Sequence, residues 1–218
     1  GKENSNENEL RAYLDNFNDC LEKSMNGAQS ISKISIQTGT SHGGVPGPDG
    51  KVVDVSLDFK TLEYLSRISR QEYGLAGAVQ HGASTLPGSL FNKFPELETA
   101  EIHLATDFQN MIYDHELFPK TLKEEIYTHL RKKFSSEKKV TDTDEQFIYK
   151  TRKKGFGEFK PRFWDLSDEI KSEIGKDLES KVENLFTQLK VENTAEIAGK
   201  TITPVKIMPN LAHEVAAA

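Results

Sequence analysis

The chain has 218 residues, 36% apolar and 28% charged, with a formal net charge of −6. That length suits one domain or one and a half, and the acidic balance excludes non-specific nucleic-acid binding as the main task. No apolar run approaches the roughly 20 residues of a membrane span, so neither nucleic acid nor membrane is expected as a partner. The single cysteine, Cys20, excludes an intramolecular disulfide and points to a reducing, cytoplasmic setting. Within a helical pattern it reads as a small packing residue.

Residues 1–8 are polar and acidic; they carry no signal-peptide pattern and are expected to be disordered or an appended leader. Leu10, Tyr13, Leu14, Phe17 and Leu21 recur at helical spacing, which predicts a helix over 9–23 ended by Asn26-Gly27. A first strand is predicted over 32–38, running into Thr40-Ser41-His42-Gly43-Gly44. Residues 42–50 hold four glycines and two prolines, which predicts a mobile loop, either a plain connector or, because it directly follows His42, a cover over a ligand. Val52-Val53-Asp54-Val55 reads as a hairpin arm, and Leu57, Leu62, Leu65 and Ile68 mark the apolar face of a helix over 58–72. A second strand, from Leu75 to Val79, ends at His81 and is followed at once by the small-residue turn Gly82-Ala83-Ser84-Thr85.

Phe91 and Phe94 read as packing residues of a short helix or turn over 87–94. A third strand, carrying His103, runs over 100–107, and a helix opens over 108–113. Leu122, Ile126, Leu130 and Phe134 predict an amphipathic helix over 118–134, followed by a polar linker over 135–144. Lys150, Arg152, Lys153 and Lys154 form a basic run, read as a solvated face. Phe159 and residues 161–164 read as an aromatic clamp for the longest helix, 167–190, capped by Asp165 or Ser167. Its stripe is Ile170, Ile174, Leu178, Val182, Leu185 and Leu189. Residues 191–218 carry little periodicity and are expected to be an irregular tail.

Three predicted strands each deliver a histidine near the carboxyl end, beside Gly or Ser/Thr, with an amphipathic helix between the first two. Such βαβ order builds a parallel sheet whose ligand site lies at the carboxyl ends of the strands. Gly82 lets backbone approach a ligand closely, and successive amides in its turn can form an anion nest. The chemistry on offer is thus an imidazole, for metal or acid/base work, beside a phosphate-type cradle. His115, His129 and His213 lie outside these motifs and read as surface residues.

At these residues the sequence resembles the C-terminal half of class II, metal-dependent fructose-bisphosphate aldolases, from about Lys33 to Asn110 with a looser echo to Leu189. In that family a strand ending in His-Gly supplies one zinc ligand, here His42-Gly43. A second, ending in His-Gly-(Gly/Ala)-Ser, supplies another zinc ligand and the phosphate grip, here His81-Gly82-Ala83-Ser84. A third supplies Asn-x-(Asp/Ala)-Thr, here His103-Leu104-Ala105-Thr106, with His103 in place of the family's Asn. An imidazole there can still donate a hydrogen bond.

The resemblance implies an α/β fold: the C-terminal half of a TIM (β/α)8 barrel over 9–135, a helical extension over 136–190, then the tail. It implies a zinc ion, or another divalent metal, on His42 and His81. Gly43, Gly82, Ala83, Ser84, His103, Ala105 and Thr106 would line the pocket for a phosphorylated sugar. The implied activity is aldol cleavage of a ketose bisphosphate. The family's catalytic Asp and a further zinc histidine lie on earlier strands, and they are expected outside this chain. The chain would then work as a homo-oligomer or with a missing N-terminal half. The contrasting readings are a non-catalytic phosphate-binding half-barrel or assembly module, and another phosphate-binding barrel enzyme such as an isomerase or epimerase.

Overall fold

The computed structural model describes residues 3–25, 27–40, 44–53, 56–204 and 206. Helix α1 (Glu7–Ser24) begins at a capping box: Asn6 Oδ1 accepts from Glu9 N at 3.1 Å, and Glu9 Oε2 accepts from Asn6 N at 3.2 Å. Residues 3–8, expected to be disordered or an appended leader, have a described backbone that begins this helix. Asn4 Nδ2 donates to Asp58 Oδ2 at 2.8 Å and Ser5 N donates to Gln37 O at 2.8 Å. Leu10 and Leu14 are buried, whereas Tyr13 is exposed and stacks on Phe17. Cys20 is exposed rather than packed; it sits about 80° around the helix from Leu10 and about 120° from Leu14.

Strands β1 (Ile34–Ser35), β4 (Ala78–Gln80) and β5 (Glu101–Ile102) form a parallel sheet in the order β1-β4-β5. Between β1 and β4 come an antiparallel hairpin, β2 (Val45–Pro46) with β3 (Val52–Val53), and helix α2 (Phe59–Gln71). A one-turn helix, α3 (Lys93–Glu96), precedes β5. The chain is thus α/β, with no closed barrel among the described residues. Each strand is shorter than predicted. Beyond Ile36 the first leaves the ladder, and Thr38 O accepts instead from Asp58 N at 3.0 Å. Residues 44–50, expected as a mobile loop, are pinned: Gln146 Nε2 donates to Pro46 O at 2.9 Å and Thr143 Oγ1 to Pro48 O at 2.8 Å.

The helices that follow are α4 (Thr106–Asp114), α5 (Lys120–Lys133), α6 (Asp144–Thr151), α7 (Gly155–Glu158), α8 (Lys160–Trp164), α9 (Asp168–Gln188) and α10 (Ala195–Thr201). Helix α6 occupies a stretch read as linker and solvated basic run. It starts at a second capping box, Thr143 with Gln146, and buries Phe147 and Ile148.

Two apolar clusters hold these elements. One joins α1 and α2 to the sheet and to Phe91 and Phe94; Leu62 and Leu65 of α2 lie fully inside it, each contributing about 1.5–3 kcal/mol by burial. The other surrounds Tyr113 with Leu122, Ile126, Leu130, Phe147, Ile148 and Ile174. Helix α9 serves both, through Leu185 in the first and Ile174 in the second. Phe163 of the expected clamp packs on Tyr113 at 5.8 Å, while Trp164 is exposed.

Candidate functional site

Side chains on a strand alternate between faces, and the register shows what that does here. Ile34 pairs with Ala78 and Gln80 with Ile102; these rows face the helices and join the apolar cluster, with Gln80 fully buried among them. Ser35, Val79 and Glu101 form the opposite row. Two residues further along, the same face presents His81 and His103. That face carries Ser35 and Glu101 beside the buried Val79, and its histidines stand just past the carboxyl ends of β4 and β5.

His81 and His103 have ring centroids 4.2 Å apart, inclined at 47°. With Gly82, Ser84, Leu104, Ala105 and Thr106 they line a cavity of about 250 Å³. Gly82 adopts φ 72°, ψ 16°, a left-handed turn that takes the chain from His81 into a helical turn over Ala83–Thr85. Ser84 Oγ accepts from Ala105 N at 2.8 Å, tying the two strand-end loops together. Ala83, expected to line the pocket, is buried in the apolar cluster instead, because the turn directs its methyl inward. His42 and Gly43 lie outside the described residues, as does His213.

Behind the pair, Gln80 locks the strand ends. Its Oε1 accepts from Thr38 Oγ1 at 2.9 Å, and its Nε2 donates to Thr40 Oγ1 at 3.1 Å and to the carbonyl of His81. Thr40 Oγ1 also donates to that carbonyl, at 2.8 Å. In front, Glu101 bonds both Lys33 Nζ and His103 Nε2. Lys33 foremost, then His103, hold the Glu101 carboxyl below the usual carboxylate range. The imidazole of His103 is thus oriented by an ionised carboxylate, an arrangement that fixes a tautomer and supports acid/base work. Among the described residues no group of three or more His, Cys, Asp or Glu is placed to hold a metal ion. The described donors are two imidazoles, one of them bonded to Glu101: part of the set a catalytic zinc uses.

The other two described histidines are not free surface residues. His115 is 10% exposed, accepts from Leu117 N at 3.1 Å through Nδ1 and faces Asp177 at 3.5 Å. His129 packs edge-on against Phe159 at 5.3 Å. The basic run is not simply solvated either. Arg152 is 8% exposed; it donates to both Asp114 oxygens at 2.9 Å and to Asn110 Oδ1 at 2.6 Å, and its guanidinium lies 5.1 Å from the Tyr149 ring centroid. Burial alone would push the Asp114 carboxyl up; Arg152, with Lys123, more than reverses this and holds it below its ordinary value.

Sequence reasoning missed Glu101, Lys33, Gln80 and Arg152. The i, i+2 relation of Glu101 to His103 on a strand was a usable signal, as was the T-x-x-Q capping box at Thr143 for α6. Lys33 and Arg152 had no local signal, since their partners lie 68 and 38 residues away. No family model matches this chain, and comparison with curated proteins returns no match either.

Proposed function

We propose that this chain is the C-terminal part of a class II, metal-dependent aldolase. It would cleave a ketose bisphosphate such as fructose 1,6-bisphosphate reversibly to dihydroxyacetone phosphate and an aldehyde. The observation that carries the reading is the His81–His103 pair, past the carboxyl ends of neighbouring parallel strands, in one cavity with Gly82, Ser84, Ala105 and Thr106. In this reading the sheet is part of a (β/α)8 half-barrel: β1, β4 and β5 are neighbours in chain order, as a barrel requires. The face that carries the histidines is then the barrel interior.

His42 and His81 are the residues that would hold a divalent ion, zinc foremost. When bound, such an ion supplies Lewis-acid polarisation of a ketone oxygen. The chain's own residues do the rest. The turn from Gly82 to Ser84 and the start of α4 at Thr106 receive a substrate phosphate through backbone amides. His103, oriented by Glu101, hydrogen-bonds the substrate through its other ring nitrogen. The carboxylate that moves the proton is assigned to the missing half, and general acid/base catalysis is typically worth about 10²–10⁴-fold.

The test combines zinc stoichiometry with a retro-aldol assay on fructose 1,6-bisphosphate, for this chain alone and mixed with an N-terminal half. Zinc retention and turnover only on mixing, both lost in His81→Ala, are the expected results. Turnover by this chain alone at ordinary enzymatic rates, about 1–10³ per second, would overturn the assignment of essential residues to the other half. Phosphate binding with neither zinc nor turnover on mixing would replace the aldolase reading with a non-catalytic phosphate-binding module.

A further inference from the structure

Strand β1 stands at an edge of the sheet, and its backbone shows which groups that edge leaves open. Ile34 N donates to Gly77 O at 3.3 Å and Ile36 N to Val79 O at 3.5 Å, so these two residues turn their backbone groups to β4. Alternation directs the N–H and C=O of Ser35, an exposed residue, outward, with no backbone partner among the described residues. The far end of the edge is closed: Ser5 N donates to Gln37 O at 2.8 Å, and Ser5 Oγ accepts from Gln37 N at 2.9 Å. An open row of this kind is a template for pairing with another strand.

Two cavities meet along this edge, and they differ in chemistry. One, of about 340 Å³, is lined by Leu10 and Tyr13 of α1 together with Ile34 and Ile36. The other, of about 430 Å³, is lined by Ser35, Gln37, Thr40 and His81. Ser5, Ser35 and Ile36 belong to both, so one stretch of backbone separates an apolar space from a space of hydroxyls and amides. Successive side chains of a strand point to opposite faces. A strand laid along β1 therefore puts every second residue into the apolar space and the others beside His81. Glu9 also lines the apolar cavity; its carboxylate caps Asn6 N and has no cationic partner among the described residues.

We propose that the open edge of β1 takes up an extended strand of a partner chain, one that alternates apolar with small polar side chains and carries a cationic residue for Glu9. Its backbone pairs with the N–H and C=O of Ser35 and lengthens the sheet by one strand. Its apolar side chains fill the space over Ile34 and cover Tyr13, which is 53% exposed. Its polar side chains enter the space beside His81. The two unlike cavities also set the register, because a one-residue slip would exchange the two sets of side chains. The inference stands on this edge and its cavities, not on the aldolase reading; under that reading the missing half would carry the strand.

The test is a titration of the full chain with a soluble peptide that alternates valine and threonine between terminal lysines, followed by amide NMR and amide exchange. A peptide of the same composition with its valines grouped is the parallel arm. Saturable shifts at Ser35, Ile36 and Gln37, with slowed exchange of the Ser35 N–H, are expected with the alternating peptide only. Ser35→Pro removes that outward N–H, spares the bonds of Ile34 and Ile36 to β4, and should abolish binding. Tyr13→Asp, at an exposed position, should weaken it by about tenfold or more, and it decides alone if Ser35→Pro disturbs the amides of β4. The proposal is overturned if those amides do not shift saturably, if the grouped peptide reproduces the shifts, or if Tyr13→Asp binds as the parent does. Protection of Ser35 that rises with protein concentration without peptide would give the edge to a second copy and overturn it too. Neither zinc nor turnover is read here, so this inference and the aldolase reading can fail separately.

Discussion

The sheet-centred and Tyr113-centred regions use different materials. Around the sheet the core is mostly aliphatic, drawn from α1, α2 and the covered strand face, with Phe91 and Phe94 closing one end. Around Tyr113 it is aromatic: Phe118, Phe156 and Phe163 stand 5.0–5.8 Å from its ring, and its hydroxyl donates to Arg152 O at 2.9 Å. The sheet must present every second side chain to its open face, and that is where Lys33, His81, Glu101 and His103 gather. The helical region buries Tyr113, Phe118, Ile126, Leu130 and Phe147 together, with Trp164 left exposed. Its contribution is to hold Arg152 and the β2–β3 hairpin beside the strand ends. One region displays chemistry and the other positions it.

The largest test of that division is truncation of each core. Tyr113→Ala and Phe91→Ala should each cost about 3–5 kcal/mol in urea unfolding, the usual range for a buried aromatic. Because α9 packs into both clusters, each variant should shift a single cooperative transition. Two separable transitions would show that the regions fold independently. A smaller effect should come from the polar lock of the sheet. Gln80→Leu strands the hydroxyl of Thr38 and removes one donor from the His81 carbonyl. We expect a loss of about 1–3 kcal/mol together with changed amide shifts at Gly82, which follows the His81 carbonyl; unchanged stability would mean that the network does not hold the strand ends.

The smallest effect should come from the ionic lock of the helical region. Asp114→Asn should cost about 1 kcal/mol at neutral pH, because the carboxylate is half exposed and partly screened. The native Asp114 carboxyl titrates below its ordinary value. Its stabilisation is therefore fully present above the unfolded value, about pH 4, and disappears as pH falls through the lower folded value. Stability measured from pH 5 down to pH 2 should fall more steeply in the parent than in Asp114→Asn. Parallel curves would remove Asp114 from the acid-sensitive groups.

Helices α1, α2, α5 and α9 were legible because their apolar residues recur at helical spacing, and caps such as Asp58 and Ser167 sit at their starts. So was the placing of His81 beside a small-residue turn at a strand end. Helix α6 was obscured by its charges: Lys150 and Arg152 suggested solvent, yet Arg152 is buried because Asp114 and Asn110 satisfy its guanidinium. Residues 3–8 looked disordered by composition, while the capping box at Asn6 and the bond from Ser5 to Gln37 give that backbone its partners.

The sequence by itself determined the local units: which stretches coil, which extend, and that Gly82 follows a strand-end histidine. These depend on spacing and on residues within a turn of one another. Only the tertiary structure decided that His81 and His103 stand 4.2 Å apart, that Glu101 bridges Lys33 and His103, and that two unlike cavities meet along the edge of β1. Each depends on strand register or helix docking between residues distant in the chain. A one-residue slip of β5 would send His103 to the covered face, and nothing within the strand itself prevents that slip. What prevents it is packing: Ile102 and Leu104 join the cluster that α2 closes, so burial on one face sets which side chains remain on the other.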